Sequence, residues 1–373
     1  MILSLYIARR FLRAFGIVAG SFFGILFLIN LAEDARRFGD KGLSLGELAE
    51  LSALKVPSAF YNILPLITVL AAVVLFVGLA RSSELVVIRA AGRSALRMLM
   101  APVTVALLLG VIAVAAGNPI VSATSNRYDL LANRYRATAG GETVSIGREG
   151  VWMRQSAGLT EEDTVQTQAV IHAVRANLDA TQLFDVTFLM FEPGRGPIRR
   201  IAAAEAVLEP GAWLLRDAKE WNLAASTNPE RDAASAREMR LPSDLTAQRI
   251  RDSFGEPADV PLWELPSFIA ALENAGFSAR RHMVWFQREL ALPLLLAAMV
   301  LVAAGFTMRH IRAGGTGKLV LLAFAGGLGV FFLRNVAQVL GENGQIPVVL
   351  AAWAPPLIGL ILPLALLLHL EDG

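Results

Sequence analysis

The sequence VPSAFYNILPLITVLAAVVLFVGLA occupies residues 56–80 and has no charged side chain at any of its 25 positions. A helix needs about 20 mainly apolar residues to cross the hydrocarbon core of a bilayer. This stretch is apolar on every side of a helix, which is rare in the core of a soluble protein. Pro65 within it is tolerated in membrane helices, because neighbouring helices satisfy the freed carbonyl group. We therefore predict a transmembrane helix here.

Five further uncharged stretches are the other candidate spans. They are residues 14–32, 98–126, 290–308, 319–333 and 343–370. The fourth of these has only 15 residues, and we expect Lys318 and Arg334 to extend it by snorkelling. The sequence thus predicts six α-helical spans, three before and three after a polar middle. We expect no ionisable residues to converge inside these spans, which argues against an intramembrane enzyme.

The middle of the chain differs in composition from both ends. Of the 34 basic and 32 acidic residues, 42 lie between Arg127 and Glu289. Apolar and polar residues alternate there in short runs separated by Gly, Pro, Asn and Asp. The runs are residues 142–146, 166–174, 184–191, 199–207 and 213–223. Several short strands at this spacing indicate an all-β sandwich or jelly roll.

These patterns divide the chain into three parts. Residues 1–140 hold the first three spans, and the third span continues outward as a helix to Arg136. Residues 141–255 form an inserted all-β domain of jelly-roll type. Residues 256–373 hold three more spans, preceded by an amphipathic helix over 262–272 that we expect near the membrane surface.

The basic residues of the short loops indicate the orientation of the spans. With a cytoplasmic N-terminus, the inner loops hold ten Lys and Arg residues, and the outer loops, Arg334 included, hold five. Cytoplasmic loops of membrane proteins carry the excess of Lys and Arg. We therefore predict that both termini are cytoplasmic and that the β-domain lies on the other side of the membrane.

Several functional classes are excluded or disfavoured by composition. A net charge of +2 offers no case for nucleic-acid binding. The absence of cysteine excludes disulfides, thiolate catalysis and Cys-ligated metal. The four histidines are too scattered for a metal site, and the polar middle contains no convincing catalytic set.

The stretch Gly314 to Lys318 resembles a phosphate-binding loop only superficially. Arg312 occupies the position of the first glycine of that motif, and Leu319 the position of its Ser or Thr. We interpret the stretch as a flexible cytoplasmic turn, so the chain is not expected to hydrolyse ATP by itself.

The segment RSSELVVIRAAGRS, residues 81–94, is the most informative polar stretch near the membrane. Ser82 or Ser83 can cap a short helix of about residues 82–92, Glu84 suits its N-terminal end and Gly92 can end it. Such a helix is too short to span the membrane. It is either an ordinary interfacial helix or a coupling helix that docks on a separate ATPase, and physical arguments leave both open.

GLARSSELVVIRAAGRS (residues 78–94) resembles the hallmark segment of the LptF/LptG permease family, which exports lipopolysaccharide from the inner membrane of Gram-negative bacteria. The resemblance extends over essentially the whole chain. It includes LYIARRFLRAF (residues 5–15), GQIPVVLAAWAPPLIGLILP (residues 344–363) and the order of three spans, β-domain and three spans. The hallmark and the C-terminal end resemble the LptG branch more than the LptF branch.

The resemblance implies a set of partners and a role. A member of this family pairs with an LptF-like permease as a heterodimer and recruits a single-span, LptC-like periplasmic protein. An LptB-like ATPase dimer binds the ATP and Mg, so this chain needs no cofactor of its own. The implied function is that of a permease subunit of an ABC transporter, which extracts lipopolysaccharide from the inner membrane and passes it to a periplasmic bridge toward the outer membrane.

The resemblance also implies site residues. The contact with the ATPase falls on Arg81, Ser83, Glu84, Leu85, Ile88 and Arg89. The contact with the phosphates of lipopolysaccharide falls on Arg36, Arg37 and Lys41, since guanidinium groups bind phosphate through paired hydrogen bonds. Alternatively, these residues only anchor the span and pair with Glu33, Asp34 and Asp40. The family often has one more basic residue at the position of Asn30.

A lipid-binding cavity also needs an apolar wall for acyl chains. The candidates for it are Phe60, Ile67, Phe331 and Phe332. Alternative functions are an LptF-type paralogue, or a mechanotransmitting ABC subunit or receptor with a periplasmic sensor domain. The arrangement of three plus three spans, rather than four in total, argues against the mechanotransmitting subunit.

Overall fold

The structure, a computed structural model, describes most of the chain and groups it into two compact units. The described residues are 2–82, 84, 94–136, 143–147, 150–156, 168–177, 181–192, 196–226, 228–243, 245–246, 250, 256–308 and 316–371. The membrane unit comprises Met1–Tyr135, Ala258–Leu262 and Arg280–Gly373. The sheet unit comprises Arg136–Pro257 and Trp263–Ala279.

The helices of the described residues account for the whole membrane unit and for one element of the sheet unit. In chain order they are α1 (Ile2–Phe38), α2 (Leu45–Arg81), α3 (Ala95–Ile112), α4 (Asn118–Arg136), α5 (Leu265–Asn274), α6 (Arg280–Thr307), α7 (Thr316–Glu342) and α8 (Val348–Glu371). A π-helical turn over Ala113–Gly117 joins α3 to α4, so that both belong to one long helical rod. Short 3-10 turns follow α1 at Gly39–Lys41 and precede α5 at Pro257–Asp259.

Six helical stretches of the described chain are long and apolar enough to cross a membrane, which confirms the predicted spans. The third of them runs through α3, the π turn and α4 as Leu96–Ala132. Two details differ from the prediction: the fourth span begins before Glu289, and Arg334 is buried instead of snorkelling. The fourth span begins at Arg280 and the fifth ends at Glu342, so Glu289 and Arg334 lie inside helices rather than at their ends. Charge does not mark the end of a helix where other helices enclose the charged group.

Local sequence explains where two of the spans begin. Gly42 has a φ of 70°, which lets the chain turn sharply after α1. Ser44 then caps α2: its hydroxyl accepts from the Glu47 amide at 3.3 Å, and the Glu47 carboxylate accepts from the Ser44 amide at 2.8 Å. Ser94 caps α3 in the same way, accepting from the Arg97 amide at 3.4 Å.

Helix α6 is the most enclosed of the six spans, and close packing at a glycine contributes to this. A Cβ atom at Gly110 of α3 would lie 2.4 Å from the Cα atom of Pro293 in α6. The missing side chain therefore allows the two backbones to touch. Helices α1 and α7 are the least enclosed spans, and most of their apolar surface faces outward from this chain.

The sheet unit is built on one antiparallel sheet in which every strand pairs with its neighbours in sequence. The strands are β1 (Thr143–Gly147), β2 (Gly150–Ser156), β3 (Gln168–Ala176), β4 (Gln182–Glu192), β5 (Gly196–Glu209), β6 (Ala212–Asn222) and β7 (Ala234–Pro242). The prediction of an all-β domain in the middle of the chain is confirmed. Its connectivity is a seven-stranded meander, and the Greek-key crossing of a jelly roll does not occur among the described strands.

The buried face of the sheet changes sides along one row of residues. Within β4, Phe188 and Met190 are buried beyond the row, whereas Leu183 is buried before it. The same change occurs in β3, β5 and β6. The row crosses the four strands at Val174, Asp185, Ala204 and Asp217, which lie opposite one another in register. Asp185 and Asp217 have φ values of 51° and 50°, a left-handed conformation that Asp tolerates better than most residues. These two residues rotate their strands and exchange the two faces.

Helix α5 belongs to the sheet unit, not to the spans with which we grouped it from the sequence. Leu265 and Leu272 are buried on one side of it. Its C-terminal carbonyl at Ala275 accepts a hydrogen bond from the Ala176 amide at the end of β3, at 2.9 Å. Gly276 ends the helix with a φ of 87°.

Candidate functional site

The C-terminal end of α1 presents the three basic residues that were predicted to contact phosphate. Arg36 and Arg37 lie in the last turn of α1, and Lys41 lies in the following 3-10 turn. All three are exposed. Among the described side chains, no carboxylate forms an ion pair with them. The three cations are therefore available to an anion outside the chain.

The acidic neighbours of these cations are bound elsewhere. Asp34 is fully buried and accepts hydrogen bonds from the hydroxyls of Ser52 at 2.9 Å and Tyr128 at 3.1 Å. Glu33 pairs with Lys55 at 3.1 Å. The alternative in which Glu33 and Asp34 neutralise the arginines is therefore not found in this structure, and the side chain of Asp40 lies outside the described residues.

Asn30 stands where the family often has a basic residue, and its environment differs from that of the exposed cations. Its side chain is buried, with 5% of its surface exposed. A long cationic side chain at this point of α1 would have to be accommodated inside the membrane unit. At the C-terminal end of α1, the exposed cations thus begin at Arg36.

The opposite end of the membrane unit holds Glu84 of the predicted coupling segment. The Nη1 atom of Arg10 donates to Oε1 of Glu84 at 2.7 Å and to Oε2 at 2.8 Å. The Tyr6 hydroxyl donates to Oε2 at 3.0 Å, and the Ser82 hydroxyl donates to Oε1 at 2.7 Å. The hydrogen bonds from Ser82 and Arg10 hold the pKa of the Glu84 carboxyl below its usual range, so it is ionised at neutral pH.

Of the other residues predicted for the ATPase contact, the structure describes only Arg81. Arg81 ends α2 and is exposed. Ser83, Leu85, Ile88 and Arg89 lie outside the described residues, and so does most of the predicted helix over residues 82–92. Within the segment over residues 82–92, the structure describes Ser82 and Glu84.

The four aromatic and aliphatic residues predicted to line a lipid cavity lie in different environments. Phe60 is half-buried, and its ring meets that of Phe23 in α1 edge-on, with centroids 6.0 Å apart. Phe331 is half-buried and Phe332 is 60% exposed, both on α7. Ile67 is fully enclosed by other helices of this chain, so we no longer include it in a lining.

A cluster of polar side chains lies inside the membrane unit, contrary to our expectation that no ionisable residues would converge there. Tyr61 of α2 donates a hydrogen bond to Glu289 of α6, whose carboxylate is fully buried. The guanidinium groups of Arg288 and Arg334 are close enough to act on that carboxylate electrostatically. Buried charges inside a membrane are costly, and where they occur they face one another within a helix bundle.

Asn118 completes this cluster at the junction between the π turn and α4. Its side-chain oxygen accepts from the Leu262 amide at 2.9 Å, which secures the chain that returns from the sheet unit. A Cβ atom at Gly117 would lie 3.2 Å from the ring of Tyr61, so the π turn packs directly on that tyrosine. The one signal in the sequence was that Glu289 and Arg334 border short uncharged stretches, and we had placed both at span ends.

Comparison with known proteins assigns this arrangement of spans and sheet to a family. The family model "Lipopolysaccharide export system permease LptF/LptG" matches residues 5–369. The chain belongs to the LptF/LptG family. The match includes both membrane halves and the sheet between them, so the resemblance read from the hallmark segment is confirmed over nearly the whole sequence.

Curated relatives agree with this assignment at low identity. The "Lipopolysaccharide export system permease protein LptG" of Haemophilus influenzae is 23% identical over 362 residues, which covers 96% of this chain and 95% of that protein. The protein of the same name from Escherichia coli K12 is 24% identical over 347 residues, covering 92% and 88%. At this identity the similarity is global, and the roles of individual side chains need their own tests.

Proposed function

We propose that this chain is a permease subunit of an ABC transporter, which extracts lipopolysaccharide from the bacterial inner membrane and passes it to a periplasmic bridge toward the outer membrane. The observation that carries the proposal is the family match over residues 5–369, on a chain with two sets of three spans and an inserted sheet. The names of both relatives favour an LptG-type subunit, with an LptF-type paralogue as the alternative.

In this proposal the chain is not itself an enzyme. An LptB-like ATPase dimer binds ATP and Mg and supplies the energy, an LptF-like permease forms the other half of the membrane channel, and an LptC-like protein receives the lipid. Both termini are cytoplasmic and the sheet unit lies in the periplasm. The coupling segment over residues 82–92 then faces the ATPase, through Arg81, Ser83, Glu84, Leu85, Ile88 and Arg89.

The substrate contact in this proposal is the outer end of α1. Arg36, Arg37 and Lys41 are exposed and have no acidic partner among the described side chains, which suits binding of the phosphates of lipopolysaccharide. Phe60, Phe331 and Phe332 supply part of an apolar wall for acyl chains. They lie on α2 and α7, and the limited enclosure of α1 and α7 leaves room for a partner permease and for lipid.

Co-purification tests the proposed function most directly. The full chain is isolated from membranes with a mild detergent, and the accompanying proteins and lipids are identified by mass spectrometry. We expect an ATPase, a second permease and lipopolysaccharide. An ATPase without lipopolysaccharide would support the mechanotransmitting subunit instead, and the absence of both would reject the proposal.

The substrate contact has a separate test. A photoreactive amino acid at the exposed Ala32 reports crosslinking to lipopolysaccharide. Reversing both charges, with Arg36→Glu and Arg37→Glu, should lower the crosslink strongly. The matched pair Arg36→Lys and Arg37→Lys keeps the charge and should retain most of it. Equal crosslinks in both pairs would leave the arginines as anchors of the helix.

A further inference from the structure

Both carboxylate oxygens of Glu84 accept hydrogen bonds from its own chain. Oε1 accepts from Arg10 and Ser82, and Oε2 accepts from Arg10 and Tyr6. An ionised carboxylate offers about four acceptor positions. The Glu84 side chain is nevertheless 32% exposed, so the carboxylate can also meet a neighbouring protein.

Two of the donors, Arg10 and Tyr6, come from α1, which is far from Glu84 in sequence. Arg10 and Glu84 are 74 residues apart, and Tyr6 is 78 residues from Glu84. Arg10 also donates to the Tyr6 hydroxyl at 2.7 Å, which fixes the two side chains relative to each other. A Cβ atom at Gly78 in α2 would lie 3.4 Å from the Nη2 atom of Arg10, so Arg10 also packs against the end of α2. We call Tyr6, Arg10 and Glu84 the inner latch.

The two helices joined by the inner latch differ in freedom. Helix α2 is largely enclosed by other helices, whereas α1 is the least enclosed span. Helix α1 is also continuous over its 37 residues. About 39 Å of unbroken helix separates Arg10 from Arg36, at about 1.5 Å per residue. A displacement imposed at Arg10 therefore reaches the cationic outer end of α1.

We propose that Arg10, with Tyr6, is the positioning residue that ties the coupling segment to α1, so that movement of Glu84 shifts the end of α1 that carries Arg36 and Arg37. This inference rests on the proposed function, because it assumes that an ATPase moves the segment. It gives Glu84 a partner within the chain in addition to the ATPase contact proposed for it.

Charge reversal and charge exchange test the inner latch in the complete transporter. The wild-type chain and the variants Arg10→Glu, Glu84→Arg and the double exchange are assembled with the co-purifying ATPase and permease in proteoliposomes that contain lipopolysaccharide. Arg9→Glu is the matched control, because Arg9 is exposed beside Arg10 and makes the same change of charge. ATP hydrolysis and lipopolysaccharide release are measured together.

The ratio of the two rates distinguishes a latch from a merely structural contact. Arg10→Glu should assemble and hydrolyse ATP, but release about five- to tenfold less lipopolysaccharide per ATP. Glu84→Arg should show the same loss per ATP and should also retain less ATPase, because Glu84 belongs to the proposed ATPase contact. The double exchange should recover most of that loss, and Arg9→Glu should behave as wild type. If Arg10→Glu keeps the wild-type ratio, or if the exchange is no better than Glu84→Arg alone, then Glu84 acts only through the ATPase and the inference is wrong.

A crosslink measures the geometry of the latch without transport. The chain has no cysteine, so Arg10→Cys with Glu84→Cys leaves a single pair for a short bis-maleimide in native membranes. We expect an internal crosslink for this pair and little for Arg9→Cys with Glu84→Cys. The opposite pattern would overturn the latch. A crosslink in a chain that co-purifies with no ATPase would retain the contact while rejecting both the proposed function and the transmission of force.

Discussion

The hydroxyl of Tyr61 donates a hydrogen bond to the buried carboxylate of Glu289, which lies 228 positions later in the chain. This bond joins the three spans before the sheet unit to the three spans after it. Lateral packing alone gives little preference among apolar helices in a membrane, because lipid tails are as apolar as the helices. A single polar contact inside the unit therefore helps to specify how the two halves fit together.

The substitution Tyr61→Phe tests this contact with almost no change in shape. Glu289 would lose its hydrogen-bond donor while staying buried, and we expect a loss of about 0.6–1.7 kcal/mol, the usual range for polar contacts between membrane helices. Thermal unfolding of the purified chain in detergent measures the change. Tyr135→Phe is the control, since the Tyr135 hydroxyl lies 3.5 Å from its acceptor Glu47 and makes a weaker bond. Equal effects of both substitutions would contradict the role of Tyr61.

The close approach of α3 and α6 gives a second prediction. Gly110→Ala places a methyl group where only 2.4 Å separates it from the Cα atom of Pro293, and backbone cannot move as easily as a side chain. Overpacking of this kind typically costs about 1–3 kcal/mol. Gly329→Ala in α7 meets nothing within 4 Å, so it should be neutral or slightly stabilising. Thermal unfolding of the two variants, measured side by side, tests this difference in stability.

Most of the membrane architecture could be predicted from the sequence, and the exceptions have a common cause. Uncharged length identified all six spans, because hydrocarbon excludes unpaired charge. The same rule misplaced the ends at Glu289 and Arg334. Both residues lie inside helices and are enclosed by side chains from distant parts of the chain. Such enclosure depends on tertiary packing, which cannot be inferred from the composition of one segment of the sequence.

The sheet unit was predictable in class but not in detail. Alternation identified strand β1 and strands β3 to β6, since one face of a sheet is buried, but it did not identify β2 and β7. The exchange of faces at Asp185 and Asp217 could not be foreseen, because many aspartates in strands and turns keep negative φ values. The contact of α5 with the end of β3 was missed for another reason. An amphipathic helix next to predicted spans suits a membrane surface as well as it suits the edge of a sheet.

Gly276, at the end of α5, gives a third prediction. Its φ of 87° already disfavours other residues, and a Cβ atom there would lie 1.9 Å from the carbonyl oxygen of Ala176. We expect Gly276→Ala to destabilise the sheet unit by about 2–4 kcal/mol, from strain and overlap together. Gly196 has a similar φ of 84° but meets nothing within 4 Å. Gly196→Ala should therefore cost only about 1 kcal/mol in chemical unfolding followed by tryptophan fluorescence.

Glu205 on β5 predicts a pH dependence of the sheet unit. Its carboxylate accepts hydrogen bonds from Gln182 and, at 3.0 Å, from Arg216, and these lower the pKa of Glu205. The lowered pKa stabilises the folded state at any pH above the pKa of the unfolded chain, which is about 4.3. This stabilisation is lost as the pH falls through the lower pKa of the folded state. At pH 7, Glu205→Gln should therefore be less stable than wild type by at most about 1 kcal/mol, since the pair is near the surface. Unfolding curves of both chains should converge in acid, and in an Arg216→Gln background the difference at pH 7 should shrink. A difference that stays constant with pH would show that the charge of Glu205 contributes nothing.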